Sequence, residues 1–308
     1  MTELTIKIPA RIADNFGTPV DLLVGFISQI NKSQAEIIHF DFSQCKFANP
    51  VIVGGVASLS RAERKKGREI RYSFNEANES LVSYFKTIFF PEGFNYEKYQ
   101  LNELNSTLQA YHTKRYIPLI SFPNSKSVED GHVREKIISA INSIFKEQLK
   151  LTGDTLQAIY YLVDELTQNI ADHSNSETGI VFAQFYPTKN YMDIFIADYG
   201  KGLLESYIGT GKHNPSSDEE AVNFAVFGRS TKNLPESRGF GISTSRKMLV
   251  EGLKGKFLIY SGRAFFVQNV EKQELIALSE EYYYKGCFVI LRIPILESKQ
   301  FNFYNYVE

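Results

Sequence analysis

At 308 residues, 43% of them hydrophobic, the chain is long enough for two domains of ordinary size and too apolar for extended disorder. A net charge of −1 gives no electrostatic drive toward nucleic acid or an anionic membrane surface, and neither is expected as a partner. Cys45 and Cys287 are too few for a disulfide framework, and the longest apolar stretch, Val51 to Leu59, falls far short of a membrane span, so the chain reads as cytoplasmic.

In chain order, Met1 to Pro9 alternates polar and apolar residues like a strand and has no signal-peptide core. Glu36 to Phe42 predicts a buried strand. A helix follows from about Pro50 to Lys66, with Pro50 at a first helical position, where its missing N–H would have been unpaired anyway. Gly67 closes that helix, Arg68 to Phe74 reads as the next strand, and Asn75 to Phe90 reads as helical. The one dense basic run, Arg61 to Arg68, reads as a solvated helix end with its cations near the last carbonyls. Pro91 to Arg115 is polar, tyrosine-rich and weakly periodic. The domain junction is placed there, giving a first domain over 1–100, a linker over 101–114, a second domain over 115–298 and a tail over 299–308.

The second half opens with a strand-like segment, Tyr116 to Phe122. Val128 to Leu149 has helical periodicity, and Gly153-Asp154 starts a second helix that runs to about His173. Gly179 to Tyr186 and Tyr191 to Ala197 read as strands joined by a Pro187–Asn190 turn. A helix over Asp218 to Phe227 and strands over Lys256 to Ser261, Ala264 to Asn269 and Phe288 to Pro294 complete the pattern.

Three short segments in this half carry chemistry. On the helix ending at His173, Leu156, Ile159, Tyr160, Val163, Leu166 and Ile170 form an apolar stripe. Glu165, Asn169 and His173 recur every fourth residue as a second stripe, about 110° away. A carboxylate there can take a proton from an attacking water, and an amide oxygen one turn on can ligate Mg²⁺; the same triplet is also an ordinary polar helix face.

Asp198 ends a strand and is followed by Gly200 and Gly202. A carboxylate so placed can accept a hydrogen bond from an adenine amino group while the glycines let backbone approach the base; the bland alternative is a turn. Gly239 and Gly241 precede a helix beginning near Ser243, and exposed N–H groups at a helix start bind phosphate. Arg229, Lys232 and Arg238 lie just before it and either reach the same charge or remain solvated cations. A dinucleotide fingerprint is excluded because Thr244 holds the third glycine place and Asn233 to Ser237 is loop-like. A Walker loop fails because Gly211-Lys212 is followed by His213, and no histidine pairs with a cysteine at metal-ligand spacing.

In this order the segments resemble the ATP-binding superfamily of gyrase, heat-shock protein, histidine kinase and MutL (GHKL), over roughly 115–298. The resemblance implies an α/β sandwich of the Bergerat type around ATP. It further implies Glu165 as general base, Asn169 as Mg²⁺ ligand and His173 in the same box. Asp198, Gly200 and Gly202 would form the adenine box, with Arg238, Gly239, Gly241, Ile242, Ser243 and Thr244 at the phosphates and Leu203 to Ser237 as a lid. Gly286 to Pro294 resembles the closing strand of the family, with Cys287 where relatives usually carry a threonine near the adenine; a thiol is the weaker hydrogen-bond partner.

The Glu165-x-x-x-Asn169-x-x-x-His173 spacing is most similar to the anti-sigma-factor serine kinases. Phe40 to Val51 resembles the STAS domains of anti-sigma-factor antagonists, which implies an α/β first domain; the family's phosphorylated serine would fall near Pro50 or Val51, neither of which accepts phosphate. The expectation is an ATP-binding regulatory protein with Mg²⁺-dependent hydrolysis, whose closed state is read by the STAS-like half or by a protein partner. A serine kinase acting on a separate partner and a non-hydrolysing, nucleotide-controlled binding module are the alternatives. No histidine is followed by an acid, which argues against a histidine autokinase. A homodimer rests on analogy alone.

Overall fold

The computed structural model describes residues 2–95, 101–124, 127–211, 213–229, 241–295 and 301–307. Strands β1 (Glu3–Lys7), β2 (Ile37–Phe42) and β3 (Glu69–Phe74) pair in parallel in that order. Parallel neighbours need long crossovers, and helices α1 (Thr18–Lys32) and α2 (Pro50–Lys65) supply them. The Asn49 side chain caps α2 by accepting the Ile52 amide at 3.1 Å, and Pro50 follows at the first helical position. Helix α3 (Glu79–Thr87), capped by Asn78, is shorter than the predicted 75–90.

The segment predicted as a linker contains helix α4 (Leu101–Gln109), which packs against α5 (Val128–Leu149). Leu108 and Tyr111 are buried, and the Tyr111 hydroxyl donates to the Thr87 carbonyl at 2.7 Å. Helix α6 (Gly153–His173) follows α5. After it come β5 (Thr178–Tyr186), β6 (Tyr191–Ala197), α7 (Leu203–Thr210), α8 (Asp218–Val226) and α9 (Gly241–Lys247), with a π turn over Met248–Gly252. The remaining strands are β7 (Lys256–Gly262), β8 (Ala264–Gln268), β9 (Gln273–Ala277) and β10 (Tyr284–Pro294).

With β4 (Ile120–Pro123), the second-half strands form a seven-stranded antiparallel sheet in the order β4-β5-β6-β10-β7-β8-β9. The fold is therefore mixed α/β, with a small parallel sheet and a larger antiparallel one. At the chain's end, Phe301 packs on Gly252 and the Phe303 amide donates to Asp154 Oδ2 at 3.1 Å. Among the described residues no helix is long and apolar enough to cross a membrane.

The larger sheet has a hydrophobic core on each face. Met192, Ile194 and Ile196 of β6, with Val289, Leu291 and Ile293 of β10, point to the side holding α5 and α6. The alternate residues Phe195, Ala197, Phe288 and Ile290 point to a second core built with α1 and α2. Those two helices are thus shared: the parallel sheet lies on one side of them and the antiparallel sheet on the other. Adjacent glycines make this possible, since a side chain at Gly54 would overlap the Phe195 ring and one at Gly55 would overlap Leu23.

Polar contacts fix the same seam. Arg292, held by a two-point ion pair to its sheet neighbour Asp193 at 2.7 and 2.8 Å, donates to the Asp14 carbonyl of the first half at 3.2 Å, and the Asp14 carboxylate bonds to Lys189 and Tyr191. Asn31 Nδ2 donates to the Glu281 and Tyr283 carbonyls.

The basic run at the end of α2 is exposed at Arg64, Lys65 and Lys66, as expected of a helix end, but its cations also find partners within the chain. Arg61 donates to the Glu92 carbonyl and to Ser121 Oγ, Arg64 pairs with Glu92, and Lys66 and Arg68 pair with Glu63. Lys65 pairs with Glu177 and lies over the Tyr199 ring, 4.9 Å from its centroid. The physical reason is placement: α2 ends against β4 and against the turn after β6, where cations find partners within the chain.

Candidate functional site

Helix α6 turns its apolar stripe into the core, with Leu156, Ile159, Val163, Leu166 and Ile170 all buried. That leaves Asn169 and His173 facing a pocket between the end of α6, the turn after β6, α7, the start of α9 and β10. Asn169, His173, Asp198, Gly202 and Ile242, which come from three distant segments of the predicted set, line this one pocket. Glu165 lies one turn before Asn169 on α6 and is not part of the lining. A side chain at Gly241 would overlap both the Glu165 carboxylate and the Asn169 amide, so the start of α9 sits directly on that pair. Asn169 Nδ2 is buried without a hydrogen-bond partner among the described residues.

Asp198 is 2% exposed. Its backbone N–H donates to the Cys287 carbonyl at 2.9 Å, and its Oδ1 accepts the Gly200 amide at 2.8 Å. Burial raises its carboxyl to about 7, opposed by the backbone N–H groups of Gly200 and Cys287 that favour the charged form. Burial, reinforced by the Asp198 charge, also pushes the Cys287 thiol well above its usual range, so it is a neutral wall of the pocket rather than a nucleophile.

The glycines after Asp198 are required by close approach. A side chain at Gly200 would run into the Ser174 carbonyl, and one at Gly202 would meet Ser261 Oγ at 2.7 Å. Ser261 in turn donates to the Gly286 carbonyl and accepts the Leu203 amide, both at 2.9 Å, which fixes the start of α7.

Of the expected phosphate box, Arg238 and Gly239 lie outside the described residues, as does Lys232. Gly241 begins α9, Ser243 is buried, and Thr244 shares a hydrogen bond with the Tyr161 hydroxyl of α6. Arg229 has its guanidinium 4.3 Å from the Phe224 ring centre, and its carbonyl accepts the Tyr207 hydroxyl. Ser174 and Lys201 also line the pocket and are not among the expected site residues, whereas Leu203 and Ser206 fall in the expected lid. Of the two, only Lys201 had a signal, as the residue between the two glycines.

The enclosed space is about 50 Å³. A cavity of about 150 Å³ accepts benzene. A purine is larger than this space and enters only with movement of the lining. No group of three or more His, Cys, Asp or Glu side chains able to hold a metal occurs among the described residues.

Compared with protein-family models the chain matches none, and compared with curated proteins it matches none either.

Proposed function

We propose that the pocket between α6, the Asp198 turn and α9 binds ATP, and that the chain is a nucleotide-controlled regulatory protein with Mg²⁺-dependent hydrolysis. The observation that carries this reading is convergence: Asn169, Asp198, Gly202 and Ile242, from segments 29 or more positions apart in sequence, line one cavity, and Glu165 sits with Asn169 against Gly241. The arrangement supports an ATP site of the GHKL kind with a STAS-like first half; the α/β architecture is compatible with both but does not single them out.

In this reading Asp198 accepts a hydrogen bond from the adenine 6-amino group, and Gly202 leaves room for the base. Glu165 takes the proton of the attacking water, a role open to a carboxylate next to the phosphate end of the site. The unpartnered Asn169 Nδ2, beside Glu165 and Gly241, is a donor and fits a phosphate oxygen, while the amide oxygen of the same side chain would be the atom to hold Mg²⁺. When bound, the ion neutralises charge developing on the phosphates. The backbone N–H groups at the start of α9 face the same charge.

Thermal unfolding with and without Mg-ATP tests the reading. Ligand at about 100 times its dissociation constant stabilises by about 2.7 kcal/mol. A rise in melting temperature for the wild type that is lost in Asp198→Asn supports it; no rise at millimolar Mg-ATP rejects it. Transfer of phosphate to a separate protein, in place of release to water, would favour the serine-kinase alternative.

A further inference from the structure

Behind the pocket, two buried hydroxyls join the first half of the chain to the turn that carries Asp198. Tyr284 Oη lies 2.8 Å from the Asp198 carbonyl oxygen and 2.6 Å from Ser58 Oγ. Ser58 is 0% exposed and Tyr284 4%. A carbonyl oxygen only accepts, so the single phenolic proton goes to Asp198, and Ser58 must be the donor to Tyr284. The direction is therefore fixed: Ser58 to Tyr284 to the Asp198 backbone. Hydrogen bonds in such a chain polarise and strengthen one another.

We propose, building on the adenine-site reading above, that Tyr284 is a positioning residue for Asp198, set from α2 by Ser58, so that the first half of the chain controls adenine affinity in cis.

The surroundings leave the relay little slack. The Tyr284 ring is held edge-on to Phe288 at 5.1 Å between centroids, and a register shift in β10 between Tyr284 and Cys287 separates it from the regular ladder. Gly286 has φ +113°, and a side chain there would collide with the same Asp198 carbonyl, so the bulge gives the phenol access to that oxygen. Among the described residues, Asp198 is oriented by its N–H to the Cys287 carbonyl, its carboxylate from the Gly200 and Cys287 amides and its carbonyl from Tyr284. Only the last leads out of the second half.

Helix α2 reaches the site along one stripe. Gly54, Ser58, Arg61 and Lys65 recur at spacings of four, three and four, and they meet Phe195, Tyr284, Ser121 and Tyr199 respectively. Two of these contacts, at Ser58 and Lys65, bracket the Asp198–Tyr199 peptide. A shift of α2 along or away from the sheet therefore changes the position of the adenine-facing carboxylate.

The test measures affinity of the full chain for Mg-ATP and for the Mg complex of purine riboside triphosphate, which lacks the 6-amino group. Wild type should prefer ATP, and Asp198→Asn should lose that preference. Tyr284→Phe keeps the ring and should lose about fivefold in ATP affinity, the worth of one net hydrogen bond, with the amino-free analogue unaffected. Ser58→Ala should fall in the same direction, and the double variant should be no weaker than Tyr284→Phe alone. If Tyr284→Phe does not fold, Ser58→Ala gives the same selective readout.

A general disturbance of the fold would weaken both nucleotides alike, so equal losses overturn the proposal, as does unchanged ATP affinity in Tyr284→Phe. Additive losses in the double variant, or no loss in Ser58→Ala, overturn control from α2. A wild type that binds neither nucleotide, or binds both equally well, overturns the adenine-site reading instead.

Discussion

The Ser174 carbonyl, just past the end of α6, accepts the Lys201 amide at 2.6 Å. This single bond ties the helix carrying Glu165 and Asn169 to the turn carrying Asp198. It forms only because Gly200 has no side chain to hold the two backbones apart. Gly200→Ala should lower stability by about 1–3 kcal/mol, the usual cost of overpacking, and should weaken Mg-ATP binding as well. Denaturant melts and nucleotide titration check this. A variant that melts like the wild type would show that the close approach is not needed.

Asp198 gives a pH signature. Its carboxyl holds a proton up to about pH 7 in the fold, against 3.8 for the free side chain, so the folded state binds more protons than the unfolded one between those values. Stability contributed at this position is therefore present below about pH 4 and is lost as pH rises to about 7, with a ceiling of about 4 kcal/mol. Asp198→Asn removes the cost of ionising the buried group. In the absence of nucleotide the variant should be more stable than wild type at pH 8, with the difference shrinking toward pH 5. Urea melts across that range measure it, and a difference that is flat with pH would place the carboxyl in its ordinary range.

Glu165→Gln should lower ATP turnover by about 10²-fold or more, since it removes the proton acceptor while keeping the size of the side chain beside Gly241. Nucleotide binding should persist. Unchanged phosphate release would assign the base to another residue. Asn169→Ala should raise the Mg²⁺ concentration needed for half-maximal turnover, a separate readout from the same assay.

Separation of the two halves is predicted to fail. Residues 115–308 alone would expose Ile180, Phe182, Phe195, Leu258, Phe288 and Ile290, all buried in the core shared with α1 and α2. Burying each such side chain contributes about 1.5–3 kcal/mol. The fragment should aggregate or bind a hydrophobic dye strongly, and the full chain should unfold in one transition. A soluble, cooperatively folding fragment with low dye binding would contradict the shared core.

Much of the second half was legible because its elements are long, periodic and bounded. Val128–Leu149 starts after Ser127, whose Oγ accepts the Asp130 amide, and Tyr191–Ala197 is an apolar run between Asn190 and the Asp198 turn. The Glu165, Asn169 and His173 stripe was visible because helical spacing alone puts those residues on one side. Helix α1 is not among the expected elements, although Val20, Leu23, Ile27 and Ile30 recur at helical spacing on one buried side. Strand β9 is five residues at a sheet edge, too short to announce itself.

The seam between the halves was illegible for another reason. Ser58 and Tyr284 are 226 positions apart, and each is locally unremarkable, a serine in a helix and a tyrosine in a strand. The contacts of the Arg61 to Arg68 run are likewise invisible in sequence, because its acceptors, Glu92, Ser121 and Glu177, are reached only after folding.

An antiparallel sheet ordinarily keeps one side for water. The sheet bearing Asp198 has no wet side in its middle, and α1 and α2 belong to both of the layers they separate. A signal reaching the first hundred residues accordingly has no undocked form to favour. It acts by displacing side chains packed between the two sheets, where around Gly54 and Ser58 a movement at one is handed to the next.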